Sequence, residues 1–498
     1  MKIYQYIIGI GLLAWTLSGC SLEEVKPLDV PEEEYALGVD GIPKFLPGTY
    51  AKFVSNDWEK MYYQMTEFMG DNVSLSGRTS DPLFFSYTYN LIPNQGNASA
   101  LWRQGYSIIG TCNIGIDGLE KAIDGGEDSP EVFQALGEFR FLRAYTHFAL
   151  CGIWGRPYSH GRDNLGVVIK KDLSTESLPR ATVGEVYDFV ESELLASAEL
   201  MTLNQPNYKA SKEVAYALLS RLYLYKEQHD KVIEYANLVL NSGRYSLEST
   251  ERFKSYFTYN PVENNSETIM CIWHSEETDA GWGGVGSMYS NYNGVGWGEM
   301  YASKSYLDLV GENENDARHS FIDPQYQYDD NGNIKKDPGS GESLYQQRNG
   351  YNKFYINKFS LQEGIAQLGS PIIVRLAEMH LNKAEANAKL NEAQLALDEI
   401  NILRERAGLN GDQLYRLDNM LGKTDALEAV LDERRLELAW EGHRAMDVYR
   451  NKLTMDRSYP GTHLPEGSST QLIPYTDSRI VHFIPQREID LNPSLIQN

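Results

Sequence analysis

Two adjacent stretches of helical period constrain this chain more than anything else in it, residues 371–390 and 391–407. In the first, Val374, Ala377, Leu381, Ala384 and Ala388 recur three and four residues apart, which puts them on one face of a helix. In the second, Ala396, Ile400, Leu403 and Ala407 do the same. Asn391 fits the N-cap of the second helix, and Gly408 fits the residue just past its end. So short a connection forces an antiparallel hairpin. Alanines on the facing stripes let the two backbones approach closely, and units of this kind stack with others like them.

A second copy lies far upstream. Residues 211–226 carry Ala215, Leu218, Leu222 and Tyr225 on one stripe, and residues 230–241 carry Val232, Ala236 and Val239, with Gly243 closing the unit. From 208 to 241 it is close to the ~34-residue tetratricopeptide period. The copies are degenerate and distant, so the fold must bring them together. Further helices are predicted at 42–54, 57–69, 101–123, from Ser129-Pro130 to 152, from the Thr182–Glu185 capping box to 203, and at 426–450. Trp102, with Tyr106 one turn on, and Trp440 are assigned to packing.

From 247 to 370 the helical period mostly disappears. Residues 268–273 read as a short strand. Residues 281–301 are glycine-rich, with Trp282, Tyr289, Tyr292, Trp297 and Tyr301 interleaved. These rings have no apolar stripe to join. They suit the flat C–H face of a sugar, or they staple their own loop, or they meet another protein. Residues 329–333 read as a hairpin turn. A calcium loop would need a Glu six residues after its glycine, and Pro338 stands at that distance from Gly332.

At the N-terminus Lys2 precedes an apolar run, 7–17, too short for the ~20 residues of a membrane span. It has the plan of a secretory signal, and Leu17-Ser18-Gly19-Cys20 looks like a bacterial lipobox. Cleavage would leave Cys20 first and open to acylation; several acyl chains on one residue anchor durably. Ser21-Leu22-Glu23-Glu24 resembles a lipoprotein surface-export signal, and 25–34 reads as a tether.

A net charge of −24 argues against nucleic acid as a partner. Cys112, Cys151 and Cys271 read as buried free thiols. The nine His form no HExxH spacing, and no G-x-S-x-G or phosphate loop is present, so neither a metal nor a cofactor is expected. Glu437, Glu441 and His443 could be read as catalytic. Two carboxylates one helical turn apart project the same way, however, whereas a glycosidase grips its sugar from both sides. Ion pairing on a shared face that includes Arg444 is the better reading.

Several stretches together resemble the SusD/RagB family of outer-membrane lipoproteins. They are the lipobox; 137–144 running to Gly155; the repeat ending Asn241-Ser242-Gly243-Arg244-Tyr245; 375–379 continuing to 384–386; 433–444; and the tail from Ile484-Pro485-Gln486 to Pro493. The resemblance implies a mostly α SusD-like fold, with four tetratricopeptide-like helix pairs packed against an irregular, loop-rich ligand-binding half with short strands. It implies a signal peptide at 1–19 and an acylated tether at 20–34. A helical region at 35–250, a loop-rich ligand region at 251–370 and a C-terminal helical region at 371–498 would then form one compact unit. It implies a non-enzymatic surface protein that binds a glycan and delivers it to a SusC-like TonB-dependent transporter. The alternative is a transporter lid with peptide or other cargo, and a glycoside hydrolase ranks below both. Family likeness also places ligand contacts after the first helices, where Asp71, Asn72, Arg78, Tyr87 and Tyr89 stand.

Overall fold

The computed structural model describes residues 39–75, 84–263, 265–464 and 467–498. Cys20, the export-signal stretch, the tether and Arg78 lie outside the described residues. Among those described, no helix is long and apolar enough to cross a membrane.

Eight helices packed in series form the spine: α1 (Gly96–Asp124), α2 (Pro130–Trp154), α3 (Val183–Leu200), α4 (Lys212–Tyr225), α5 (His229–Leu240), α6 (Leu376–Lys389), α7 (Ala393–Arg406) and α8 (Ala426–Leu438). Each lies against the next, including α5 against α6, although residues 241–375 separate them in the chain. The two predicted hairpins are α4–α5 and α6–α7, and they are neighbours in one stack. Local chemistry explains the helix starts. Ser129 Oγ accepts from Val132 N–H ahead of Pro130, and Thr182 and Glu185 cap each other's backbone. On α6 and α7 the stripe Ala377, Leu381, Ala384, Ala396, Ile400 and Leu403 is fully buried, in a cluster that includes Ala429 and Val430 of α8. Past α7, Gly408 takes φ +90°, and Leu409 N–H closes back on Arg404 O.

Three boundaries differ from the sequence reading. Residues 372–375 are a buried strand, Ile372–Arg375, antiparallel to Thr268–Cys271, so Val374 does not lie on α6. A short, continuously apolar run reads alike as buried strand and as helix turn. Asn391 is no N-cap: it makes the turn at φ +64°, and Glu392 precedes the helix. The long helix 426–450 is broken. α8 ends at Leu438, Trp440 and Gly442 take φ +67° and +87°, and α9 (Arg444–Arg450) starts afresh.

A second core lies under the irregular half. Tyr63, Phe68, Phe253, Tyr289, Phe359 and Trp440 are among its members, and two-stranded pairs such as Val73–Leu75 with Met300–Ala302 run through it. Trp440 is fully buried, its Nε1 donating to Asn72 O at 3.0 Å. Trp102 is buried against Tyr106 and Trp154. Cys112, Cys151 and Cys271 are free and buried.

Buried charge stitches the second core to the repeats. Arg375 reaches Glu267, Glu437 and Glu441; Arg406 reaches Glu267 and Glu437; Lys358 Nζ meets Glu441 at 2.7 Å. Glu441 lies in the turn that separates α8 from α9.

Candidate functional site

The glycine-rich loop is pinned by its own backbone. Trp297 N–H and Gly298 N–H both donate to Ser287 O, at 2.6 and 2.9 Å, and Glu299 N–H donates to Met288 O at 2.9 Å. Beneath it Gln367, buried, donates from Nε2 to Val295 O and to Ser290 Oγ. Gly296, at φ +111°, permits that approach: a Cβ there would lie 2.3 Å from Ser290 O and 2.6 Å from Gln367 Nε2. Arg348 donates to Trp297 O at 2.9 Å and pairs with Glu299. Lys60 Nζ reaches Trp282 O and Ser287 Oγ, both at 3.4 Å. Backbone fixed from three sides holds the side chains in place.

Two indoles stand out from this base. Trp282 is 47% exposed and Trp297 51%, and their rings meet edge to face at 5.1 Å and 82°. An exposed aromatic pair held rigidly costs little ordering entropy on binding and offers flat apolar faces. The three tyrosines differ. Tyr292 is half-buried, edge-on to Tyr355 at 5.6 Å. Tyr289 is buried, stacked on Phe359 at 5.5 Å, and Tyr301 is buried against Tyr355. These last two act as the loop's own core and present no open face to a ligand.

The loop after the first helices is also turned inward. Asp71 is buried and takes Arg444 Nε and Nη2 at 2.6 and 2.8 Å. Burial alone would raise its pKa, but Arg435 and Arg444 outweigh that and hold the carboxyl well below its usual range. Asn72 is buried and accepts from Arg435 Nε at 2.8 Å. Tyr87 is buried with its hydroxyl on Thr462 O at 3.0 Å, and burial pushes its pKa up to about 12. Tyr89 is buried, donating to Met69 O at 2.6 Å and meeting the Tyr449 hydroxyl. As placed, these four hold the loop down and do not reach out to a ligand. The sequence could not show this, because Arg444, Arg435, Thr462 and Tyr449 each lie about 360 residues or more away in the chain.

Glu437, Glu441 and His443 are buried. Burial opposes charge on both glutamates, yet the surrounding Arg and Lys keep their pKa values low. His443 is pushed well below its usual value by burial. The two glutamates are paired structurally, as read, but their partners are Arg375, Arg406 and Lys358; Arg444, predicted to share their face, pairs with Asp71 instead. Among the described residues no cluster of His, Cys, Asp or Glu could hold a metal ion. Gln367, Arg348 and Lys60 were not legible as site residues, since polar residues in an aperiodic stretch carry no local signal.

A helical-repeat scaffold that presents rigid, exposed rings from a separate loop layer has the architecture of a binding protein. The chain belongs to the SusD family, whose model matches residues 244–498; a second family model, described as starch-binding associating with outer membrane, matches 47–224. It is 26% identical over 475 residues to the SusD-like protein P2 of Formosa agariphila, covering 90% of this chain and 91% of that one. It is 24% identical to the SusD-like protein P38 of the same organism, covering 99% and 97%. The solved structure of a SusD superfamily protein from Bacteroides thetaiotaomicron superimposes with a TM-score of 0.80 at 26% identity, covering 93% of this chain and all of that one. A SusD superfamily protein of Bacteroides vulgatus gives 0.77 at 25%, covering 92% and 98%.

Proposed function

We propose that this protein is a lipid-anchored, cell-surface glycan-binding protein that captures an oligosaccharide and passes it to a SusC-like TonB-dependent transporter in the outer membrane. The observation that carries the binding half is the rigid pair of exposed indoles, Trp282 and Trp297. Sugar rings present C–H faces to such planes, and no ion pair is needed. The membrane half rests on the lipobox at Cys20 and on the description of the matching family model. In this reading residues 1–19 are removed, 20–34 tether the protein, and 20–498 act as one unit.

The test is calorimetry against a panel of neutral oligosaccharides, with wild type, Trp282→Ala and Trp297→Ala, beside thermal melts of all three. Affinity is expected to fall at least about tenfold, ~1.4 kcal/mol, in each variant. Stability should change by no more than about 0.5 kcal/mol, because the rings are exposed. Normal binding by both variants, or binding lost only with unfolding, would place the site elsewhere.

A further inference from the structure

A cleft of about 500 Å³ opens between helix Lys304–Val310 and the hairpin made by strands Gln347–Arg348 and Tyr351–Asn352. Neither indole lines it. That volume falls within the roughly 300–1,000 Å³ typical of small-molecule sites.

The lining has a definite chemistry. Tyr351 and Phe354 are half-buried rings facing the space, each backed by another ring: His463 edge-on to Tyr351 at 4.0 Å, Tyr345 against Phe354 at 5.0 Å. Gln347 Nε2 donates to Asn352 Oδ1 at 2.9 Å, which leaves the Asn352 amide N–H and the Gln347 carbonyl available at the rim. Ser74, 7% exposed, lines the cleft; its Oγ is closed off beneath the surface and has no hydrogen-bond partner among the described residues. A buried polar atom without a partner normally calls for one. Among the described lining residues the one charged pair cancels itself, Lys304 Nζ bridging both Asp308 oxygens at 2.7 and 2.8 Å.

This combination sorts ligand classes. A charged group would find no uncompensated partner among the described lining residues. A purely apolar chain would cover the Asn352 amide N–H without pairing it, at about 1–3 kcal/mol for a buried group. A neutral ring with hydroxyls around its edge and C–H groups on its faces satisfies both kinds of wall. The cleft is also mechanically joined to the indole loop: Arg348, paired in register with Tyr351, donates to the Trp297 carbonyl. One hairpin therefore walls the cleft and holds one of the indoles.

We infer that this cleft is a second carbohydrate subsite, taking one or two neutral sugar rings of the same glycan that the indoles engage. The inference rests on the glycan-binding reading, and the two can fail separately. The experiment labels both places in the full mature chain: 5-fluorotryptophan reports Trp282 and Trp297, and methyl-labelled leucine reports Leu75 and Leu307, which line the cleft. Glucose, galactose, mannose, xylose, maltose and cellobiose are titrated to about 50 mM, enough to populate a millimolar site.

At least one sugar is expected to shift Leu75 and Leu307 saturably. Asn352→Ala should weaken that response at least about fivefold while the indole response persists; Trp282→Ala should leave the cleft response intact. Leu307→Trp, which fills the space, should abolish it, with Leu75 as the remaining reporter. Shifts at the indoles without shifts at the cleft overturn this inference and leave the glycan reading standing. Shifts at the cleft alone support it and displace the indoles as the main site. Silence at both with all six sugars overturns both.

Discussion

Arg221 on α4 donates from Nε and Nη2 to the two carboxylate oxygens of Glu378 on α6, at 2.7 and 2.6 Å, across 157 residues of sequence. Nη2 also reaches Ile373 O at 2.7 Å. The fork ties the upstream repeat hairpin to the downstream one. Burial alone would raise the Glu378 pKa, but Arg221 overcomes that and holds it below its usual value. A depressed carboxylate pKa contributes stability that is present above the unfolded value and lost as pH falls through the folded one. Glu378→Ala leaves a buried guanidinium unpaired and should cost about 3–5 kcal/mol by urea denaturation. Arg221→Met with Glu378→Leu should recover much of it. A single-variant cost below about 1 kcal/mol would mean that the pair is not desolvated.

The α6–α7 interface predicts a contrast between two leucines. Leu381 is fully buried, whereas Leu395 on α7 is half exposed. Leu381→Ala should cost about 2–5 kcal/mol and Leu395→Ala less than about 0.5 kcal/mol. Equal losses would contradict the placement of the stripe.

Anchoring is testable through Cys20. Cys20→Ala should give a folded protein, with wild-type melting, that no longer fractionates with outer membranes. Unchanged fractionation would refute the lipid anchor.

Glu67 offers a pH test of the interior. Its Oε1 accepts Gly442 N–H at 2.5 Å, and burial pushes its pKa up to about 8. The folded value lies above the unfolded one, so the stability linked to its proton is fully present below about pH 4.5 and lost as pH rises through about 8. Glu67→Gln keeps the acceptor without the charge. Between pH 7 and 9 the wild-type melting temperature should fall more than that of Glu67→Gln. Parallel curves would show that Glu67 does not carry the effect.

The repeat architecture was legible because its signal is local. Spacings of three and four on 371–407 and 211–241 report a helix face wherever the partner stripe lies. The legible part of the site was composition: bare tryptophans among glycines, with no stripe to join, do stand exposed. What the sequence could not give was pairing across distance. Asp71 and Asn72 look like free polar candidates until Arg435 and Arg444, more than 350 residues away, close on them. Tyr289 and Tyr301 share the loop's composition with Trp282 and Trp297 but face the other way, because Phe359 and Tyr355 lie beneath them. The break at Trp440 was hidden for a similar reason. Residues 433–444 keep a helical charge pattern, while Trp440 Nε1 donates its hydrogen bond to the backbone carbonyl of Asn72 on another segment.

A buried histidine–carboxylate pair lies just ahead of the indole loop, and we expect it to act as a proton-dependent latch. His274 Nε2 meets Glu59 Oε2 at 2.6 Å, with both residues buried, and His274 Nδ1 faces Thr278 O at 3.2 Å. A carbonyl can only accept, so Nδ1 carries a proton, and the second proton is shared between Nε2 and the carboxylate. Asp279 also faces the imidazole electrostatically, and Gln362 and Ser370 hold the His274 backbone. Burial opposes charge on His274, but Glu59 outweighs it and the pKa is raised; the Glu59 pKa is raised too, chiefly by burial. Both shifts have the same sign: their stabilisation is present below the unfolded values and lost as pH rises through the folded ones. Above the usual histidine range the pair therefore loses its shared proton, and residues 274–283, which end at the indole loop, should loosen. Hydrogen exchange of those amides, corrected for intrinsic rate, should accelerate between pH 7 and 9 in wild type. In Glu59→Gln, where a neutral amide meets a neutral imidazole, the corrected rate should stay flat over that range. The same pH profile in both proteins would show that the latch does not control the loop.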